Sequence, residues 1–341
     1  MKQTQTNQTN TNQTNLALKK LKGIKPKGVK TNQSSKLKKL IDLCDSSIEK
    51  YYSSSSNKSM RNFVGADLTK EYTLIGREIE QSKIEFNENE LIDFIFSKAN
   101  SDLDDRCSKL LGTFTSCLLH LLTARNNYKQ IHTRVYIDGD GSSFDYLFYG
   151  ARNVDRLIID NFVGKNIACN VGYMDGSANV LVGRNIKSIS ALSAFGQNGN
   201  GGLLVGCNIK GQSPLSFAGS FFGNAGMIVA KEVIGSLALV TDETHFRRTY
   251  DLLTIEKDQN RDFTIYEIEI RNNKTSRDKF QRFANISSKK LCENCGCDSK
   301  LINYYQNIFE LTDHLPDLDK KELIDTVNKI YENYIKIKNI K

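Results

Sequence analysis

Three cysteines near the carboxyl end of the sequence have a spacing that can hold a metal ion. Cys292 and Cys295 form a Cys-x-x-Cys turn, and Gly296 lets the chain fold back so that Cys297 approaches the same point. Three thiolates do not complete a structural zinc site, so the cluster predicts either zinc with a fourth ligand or free or redox-active thiols. The candidates for the fourth ligand are Asp298, His245 and His314.

A short segment rich in aspartate and glycine has the pattern that begins a calcium-binding loop. Asp138, Asp140 and Gly141 are followed by Asp145, but the twelfth position, where such a loop needs glutamate, is Tyr149. Aspartate and glycine are also typical of turns, where they supply local hydrogen bonds and adopt positive φ angles. We therefore predict a turn at this position rather than a calcium site.

Asp138 and Asp160 each follow a run of three apolar residues, which places the two carboxylates one coil apart in a coiled structure. Arg134 and Arg156 each stand one residue before the corresponding run. Adjacent carboxylates beside a base suit a polysaccharide lyase or hydrolase, because their repulsion raises one pKa for acid catalysis, and Asp140 is a third candidate. Acidic residues at coil corners are also commonly solvated turn residues. In the three later runs the corresponding positions are Gly183, Gly206 and Ala230.

Other catalytic arrangements find little support in the sequence. The histidines have no serine or cysteine nucleophile at a recognisable spacing, so no catalytic triad is predicted. Fragments 163–167, 182–186 and 205–209 share a Val-Gly-x-Asn-Ile pattern that suggests a hexapeptide acyltransferase, but they recur only after 19 and 23 residues, whereas that fold needs continuous apolar hexads. The histidines are His120, His132, His245 and His314.

Five short aliphatic runs recur through the middle of the chain at nearly constant spacing. Their first residues are separated by 22, 23, 23 and 24 residues, with no helix-length segment between them. Strands connected in this way cannot belong to βαβ units, because a crossover helix would need its own amphipathic stretch. The pattern predicts a mostly β core, a right-handed parallel β-solenoid of about five turns over residues 131–240. The runs begin at Val135, Leu157, Val180, Leu203 and Met227.

Alternation within these runs predicts which side chains point into the solenoid. The first and third residues of each run are predicted to be internal, and the second to point outward. Most outward residues are aliphatic, so the outer face should be covered by other parts of the chain or by a partner. The predicted third-residue ladder is Ile137, Ile159, Val182, Val205 and Val229. The predicted outward file is Tyr136, Ile158, Leu181, Leu204 and Ile228.

Helical segments are predicted on both sides of the solenoid. Residues 36–130 are predicted to be helical, ending in a helix at 102–125 whose apolar stripe is buried as a cap on the solenoid. Residues 241–341 are predicted to form a small α+β region, with a strand at 263–271 and a helix that begins at a capping box of Asp319 and Glu322. The stripe of the capping helix is Leu103, Cys107, Leu110, Phe114, Cys117 and Leu121.

Glycine-rich repeats give the solenoid region a resemblance to a known family. Residues 172–183, 196–206 and 223–230 each combine a glycine-rich start with an aliphatic run. They resemble, over under a third of the chain, the β-helix family found at the carboxyl-terminal end of glutamate synthase and in one component of formylmethanofuran dehydrogenase. The resemblance implies scaffold or assembly work, with chemistry on neighbouring domains. This chain departs from that pattern in its longer coils and in lacking flavin, iron–sulfur and amidotransferase regions.

Positive charge is concentrated at the amino end of the chain. Residues 1–60 carry 12 lysines and three acidic residues, so they account for the net charge of +8, and the remainder is near neutral. Residues 1–35 are predicted to be a disordered basic arm, and residues 19–39 are a candidate for weak contact with nucleic acid. The sequence has no apolar run of membrane-spanning length, and five cysteines are isolated among apolar neighbours, so a cytoplasmic protein without membrane contact is predicted.

An orderly aliphatic ladder without an accompanying catalytic constellation is typical of a scaffold. We therefore predict a non-enzymatic structural, assembly or interaction protein that binds a protein partner or a second copy of itself through faces of the solenoid. One alternative is a carbohydrate-active β-helix enzyme that uses Asp138 and Asp160. The other is a protein that binds nucleic acid or an acidic partner through the basic arm. Zinc at the cysteine cluster is the one candidate cofactor.

Overall fold

The computed structural model describes residues 35–54, 66–218, 223–234, 250–255, 263–268 and 299–340. Residues 1–34 of the predicted arm lie outside the described residues, as do Cys292, Cys295 and Cys297 with the candidate ligands His245 and Asp298. Within the described ranges, no helix is long and apolar enough to cross a lipid bilayer.

A parallel β-solenoid of about four turns forms the centre of the structure. Parallel pairing runs in the order β1-β2-β4-β5-β6-β7, the two-residue β3 pairs with β4, and β8 pairs antiparallel with β7. The coarse prediction of a parallel solenoid is confirmed, with about four turns instead of the predicted five, and its right-handedness stays a prediction. The strands are β1 (Arg134–Asp138), β2 (Asn153–Asp160), β3 (Val163–Gly164), β4 (Ser177–Ser188), β5 (Asn200–Lys210), β6 (Asn224–Ile234), β7 (Tyr250–Ile255) and β8 (Phe263–Ile268).

The pairing of β2 with β4 differs by one residue from the alignment predicted from the sequence. Leu157 pairs with Leu181 rather than with Val180. Because side chains alternate across a strand, this shift exchanges the inner and outer faces of every later strand relative to the prediction. The predicted facing was correct for the first two coils and wrong for the next three. The first internal file is Val135, Leu157, Leu181, Leu204 and Ile228.

The second internal file changes from large to small side chains after Ile159. A Cβ at Gly183 would lie 2.6 Å from Leu192, and one at Gly206 would lie 2.7 Å from Leu215, so leucines from elsewhere in each coil fill this space. The predicted ladder of valines lies on the outer face instead. The small residues that continue the file are Gly183, Gly206 and Ala230, and the outward valines are Val182, Val205 and Val229.

A hairpin of two helices, α5 (Ser299–Asp313) and α6 (Lys320–Ile340), covers the outer face of the strands. A 3-10 turn at Leu315–Asp317 joins them. The hairpin and the outward strand residues form one buried cluster, which confirms that the chain itself covers this face. The strand members are Tyr136, Ile158, Val180, Val182, Leu203, Val205, Met227 and Val229, and the helix members include Ile308, Leu323, Val327, Ile330 and Ile337.

Among the described residues, four helices precede the solenoid, and the last of them is the predicted capping helix. It begins three residues later than predicted, because the Asp104 side chain accepts hydrogen bonds from the first free N–H groups. Leu103 therefore lies outside the helix and is 39% exposed, whereas Leu110 and Phe114 of the predicted stripe are buried. The second helix lies inside the region predicted to be helical, although no individual helix was predicted at its residues. The helices are α1 (Lys36–Ser54), α2 (Ala66–Gln81), α3 (Glu88–Lys98) and α4 (Asp105–Tyr128).

Two hydroxyl groups of α4 pair with the open edge of the first coil. Thr115 Oγ1 accepts a hydrogen bond of 3.1 Å from Phe148 N, and Ser116 Oγ donates one of 2.9 Å to Tyr149 O. In the second coil the corresponding N–H, that of Ala168, donates to the preceding coil. The first coil has no preceding coil to pair with, and the two hydroxyls of α4 bind its backbone groups instead. They thereby close an edge that would otherwise expose unpaired backbone.

Gly112→Ala tests this close approach of α4. A Cβ at Gly112 would overlap the backbone carbonyl of Tyr146, so the helix must move away from the coil. We expect the free energy of unfolding to fall by about 1–3 kcal/mol. Gly76→Ala in α2 is the matched control, because its nearest neighbour, Cys117 Sγ, lies 3.9 Å away and alanine adds up to ~1 kcal/mol of helix propensity. Urea denaturation measures both changes, and equal effects would contradict the packing.

Candidate functional site

Asp138 and Asp160 lie side by side on neighbouring strands, one coil apart as predicted. The same outward file continues with Arg184, Cys207 and Lys231. The sequence alignment had placed glycine or alanine there, so the later coils carry larger polar or polarisable side chains than predicted. This file runs beneath the end of α5 and the 3-10 turn.

Asp160 is fully buried, and its oxygens are occupied. Arg184 donates to Asp160 Oδ2 from Nε at 2.9 Å and from Nη2, and Asn185 Nδ2 donates to Oδ1 at 3.2 Å. The Tyr136 hydroxyl donates to the same carboxylate at 3.4 Å. A carboxylate enclosed in this way has no path to a substrate. The predicted catalytic pair is therefore brought together in register but not in an accessible site.

Arg184 connects the solenoid to the helical hairpin. Its Nη1 donates hydrogen bonds of 2.7 Å to the carbonyl oxygens of Leu315 and Leu318, on either side of the 3-10 turn. Lys231 Nζ donates to the Asp313 carboxylate at 2.8 Å, at the end of α5. The cations of the outward file thus bind the carbonyl and carboxylate groups where the hairpin reverses direction, and their role is to fix the hairpin.

Burial and the negative charge of Asp160 shift the pKa values of the side chains around it. Burial disfavours charged Arg184, but the hydrogen bonds and negative charge of Asp160 outweigh it and raise the pKa of Arg184. Burial, followed by the charges of Asp160 and Asp138, raises the pKa of Tyr136 to about 12. Burial also raises the pKa of Cys207 to about 12. Tyr136 and Cys207 are therefore neutral at physiological pH, and Cys207 is a poor nucleophile.

Asp138 and Asp140 form a local turn at the end of β1. Asp138 Oδ1 accepts hydrogen bonds from Asp140 N at 3.0 Å and from Asn161 Nδ2 at 2.9 Å, and Asp140 has a φ of +47°. This geometry fits the predicted Asx-type turn. Asp145 Oδ1 accepts from Lys165 N at 2.8 Å and takes no part in the turn. Of the predicted arginines, Arg134 is exposed, whereas Arg156 donates to Asn328 and stacks on Tyr331 of α6.

An open polar groove of about 520 Å³ runs along the solenoid beside this turn. Of the predicted site residues that the structure describes, Asp140 alone belongs to it. One wall is a ladder of asparagines in stacked coils, and the other is a file of exposed side chains. The lining residues are Asp140, Gly141, Asn161, Val163, Asn185, Lys187, Asn208 and Lys210.

The asparagine ladder lies at a bend that follows the first sheet. Asn161, Asn185 and Asn208 all have φ angles between +52° and +54°, a conformation that asparagine adopts more readily than most residues. Asn208 Nδ2 donates to Asn185 Oδ1 at 2.7 Å, Asn185 Nδ2 to Asp160, and Asn161 Nδ2 to Asp138. Each amide is therefore held by the preceding coil. Sequence reasoning missed this ladder, although the Val-Gly-x-Asn-Ile fragments contain two of its members.

Two lysines stand beside the ladder on adjacent coils. Lys187 pairs with Lys210 in register, and the same outward file continues with Val163 on one side and Ile234 on the other. All four side chains are exposed. Within the described part of the chain, neither lysine forms an ion pair. The groove therefore presents two ammonium groups and three amides, with one carboxylate at the end formed by the Asp138 turn.

The remaining sequence candidates contribute no further centre among the described residues. No group of three or more histidine, cysteine, aspartate or glutamate side chains there is arranged to hold a metal ion. His132 Nδ1 lies 2.9 Å from Asp155 Oδ2, and burial lowers the pKa of His120. Burial raises the pKa of Cys44 and Cys169 to about 12. These thiols are therefore unreactive side chains of the core.

Asp160→Asn tests the structural role of the buried pair. The substitution leaves the Arg184 charge buried without its carboxylate, so we expect a loss of about 3–5 kcal/mol in the free energy of unfolding. Asp138→Asn is the matched control, because an exposed amide oxygen still accepts the two turn hydrogen bonds, and its effect should stay within about 0.5 kcal/mol. Chemical denaturation compares them. A larger loss for Asp138→Asn would contradict this assignment.

Comparison with known proteins assigns no family to this arrangement. The chain matches no family model, no curated protein and no solved structure. The β-helix family that its glycine-rich repeats resemble is thus neither supported nor opposed by these comparisons.

Proposed function

We propose that the chain is a non-enzymatic binding scaffold, a rigid β-solenoid that offers its asparagine and lysine groove to an anionic partner. The observation that carries this proposal is the burial of Asp160 in a hydrogen-bonded pair with Arg184. Asp160 is the acidic residue best placed to act in catalysis with Asp138. It instead pairs with Arg184, which holds the helical hairpin. The solenoid is also a rigid support, because its strands are buried on both faces.

The groove supports binding better than it supports a reaction. Hydrolysis or elimination at a sugar needs a general acid and a base or nucleophile on either side of the bond. Asp140 is the one carboxylate among the described residues that line the groove, and the two lysines stand on the neighbouring file. This set lacks the second carboxylate that glycoside hydrolysis uses, so the carbohydrate-active enzyme is the weaker hypothesis.

The other predicted partners remain separate hypotheses. The basic arm at 19–39 and the cysteines at 292, 295 and 297 lie largely or wholly outside the described residues, so nucleic-acid contact and zinc stay predictions. Self-association through a solenoid face also stays a prediction. None of these depends on the groove, and charge reversal in the groove leaves the arm and the cysteines unchanged.

Charge reversal in the groove tests the proposed function. The double variant Lys187→Glu and Lys210→Glu should lower the affinity of the full chain for at least one anionic polymer by at least about tenfold. The polymers are polygalacturonate, polyglutamate and oligo-deoxythymidine, with binding followed by fluorescence anisotropy. Lys329→Glu with Lys338→Glu on α6 is the matched control, because it makes the same change in net charge at exposed positions of the hairpin.

The outcomes of this comparison decide between binding and catalysis. Equal losses of affinity in the two double variants would contradict a binding role for the groove, since the change in net charge alone would then explain both losses. Chemical cleavage of any polymer by the wild-type chain, abolished by Asp140→Asn with the fold intact, would contradict the non-enzymatic role.

A further inference from the structure

We infer that the groove binds an acidic oligosaccharide, a chain of sugar rings that carry carboxylates, laid along the axis of the solenoid. This inference rests on the proposed function and names the chemistry of the partner. It is carried by the spacing of the groove, by its mixture of donors and acceptors, and by the absence of aromatic side chains among its described lining residues.

The groove repeats with the rise of the coil. Lys187 and Lys210 pair directly in register, as do the strand residues beside Asn185 and Asn208, so donors recur about every 4.8 Å. A pyranose ring in a chain has nearly this length, so about one ring spans each coil.

The ladder offers hydrogen bonds that suit sugar hydroxyls. Each asparagine Nδ2 carries two hydrogens, and the hydrogen bonds between coils use one of them. The Asp140 carboxylate lines the same groove and accepts hydrogen bonds from hydroxyl groups. A hydroxyl both donates and accepts, so a ligand rich in hydroxyls satisfies the amides and the carboxylate together. Because the amides are held by the preceding coil, little side-chain freedom is lost on binding.

The two lysines indicate that the sugar is acidic. Their ammonium groups stand one coil apart and unpaired within the described residues, so they can form charge-assisted hydrogen bonds with carboxylates of the bound chain. Val163, exposed in the same file, offers an apolar contact to the C–H face of a ring. The lining thus has a match for each part of a uronate residue: carboxylate, hydroxyls and ring face.

The same lining disfavours a nucleic acid in the groove. Proteins that bind single strands without sequence preference stack the bases on aromatic side chains, and none of the eight described residues that line the groove is aromatic. A single-stranded nucleic acid would therefore gain no base stacking from the described residues of this groove.

Binding of short defined ligands to the full chain tests this inference by calorimetry. The probes are tetragalacturonate, the neutral tetrasaccharide made by reducing its carboxylates, tetraglutamate and a deoxythymidine tetranucleotide. Tetragalacturonate should bind at least about tenfold more tightly than its reduced form, because only the former engages the lysines. Lys187→Gln with Lys210→Gln should remove this preference, whereas Lys329→Gln with Lys338→Gln should leave it unchanged.

Asp140→Asn separates sugar recognition from simple charge attraction. The substitution removes a strong acceptor for hydroxyls and also a negative charge, and asparagine tolerates the positive φ of this position. Tetraglutamate should therefore bind more tightly to the variant. The ratio of the tetragalacturonate to the tetraglutamate association constant should fall at least about threefold.

The possible failures are distinguishable. Tighter binding of tetraglutamate or the tetranucleotide than of tetragalacturonate, through the groove lysines, would overturn the sugar inference and leave the scaffold proposal standing. Insensitivity of every ligand to the groove lysines would overturn both. Shortening of tetragalacturonate during the measurement would support the ligand class and overturn the non-enzymatic role.

Discussion

The rest of the structure depends on the buried contact between Asp160 and Arg184, which joins the second coil, the third coil and the helical hairpin. It links the second coil to the third, and through the Leu315 and Leu318 carbonyls it fixes the turn of the helical hairpin. Two charges removed from water are stable only when their remaining hydrogen-bonding groups are satisfied, and in this contact they are. The hairpin is consequently seated at one position along the solenoid, and the apolar strand residues beneath it are covered.

The spacing of aliphatic runs was enough to predict the parallel solenoid, but not its register. Runs such as Val180-Leu181-Val182 are apolar at every position because the interior and the hairpin bury both faces, so no polar residue marks the outside. The number of residues per coil varies by one or two. A shift of one residue decides whether a given side chain points into the solenoid or away from it. The charged residues indicate the correct register, because the alignment that places Arg184 opposite Asp160 is the one observed.

The groove escaped prediction for a related reason. Asn185 and Asn208 stand in a pattern visible in the sequence, but Asn161 follows Asp160 in a different local context. Only the coiling brings the three amides into one line. The capping box of α6 was predictable because it is local: Glu322 N donates to Asp319 Oδ1 at 2.9 Å, three residues away. Features formed by side chains of stacked coils can be predicted only after the register of the coils is known. The resulting groove is rigid because each amide is held by the coil before it.

The distance in sequence between the strands and the hairpin has a consequence for synthesis on the ribosome. Arg184 meets its hairpin carbonyls 131 and 134 residues later, and Arg156 meets Asn328 after 172. At typical elongation rates of about 5–20 residues per second, the outer valines and leucines wait on the order of ten seconds for their cover. During that interval these apolar side chains stay uncovered, and exposed apolar surface of this kind makes a nascent chain prone to aggregation and a target for chaperones.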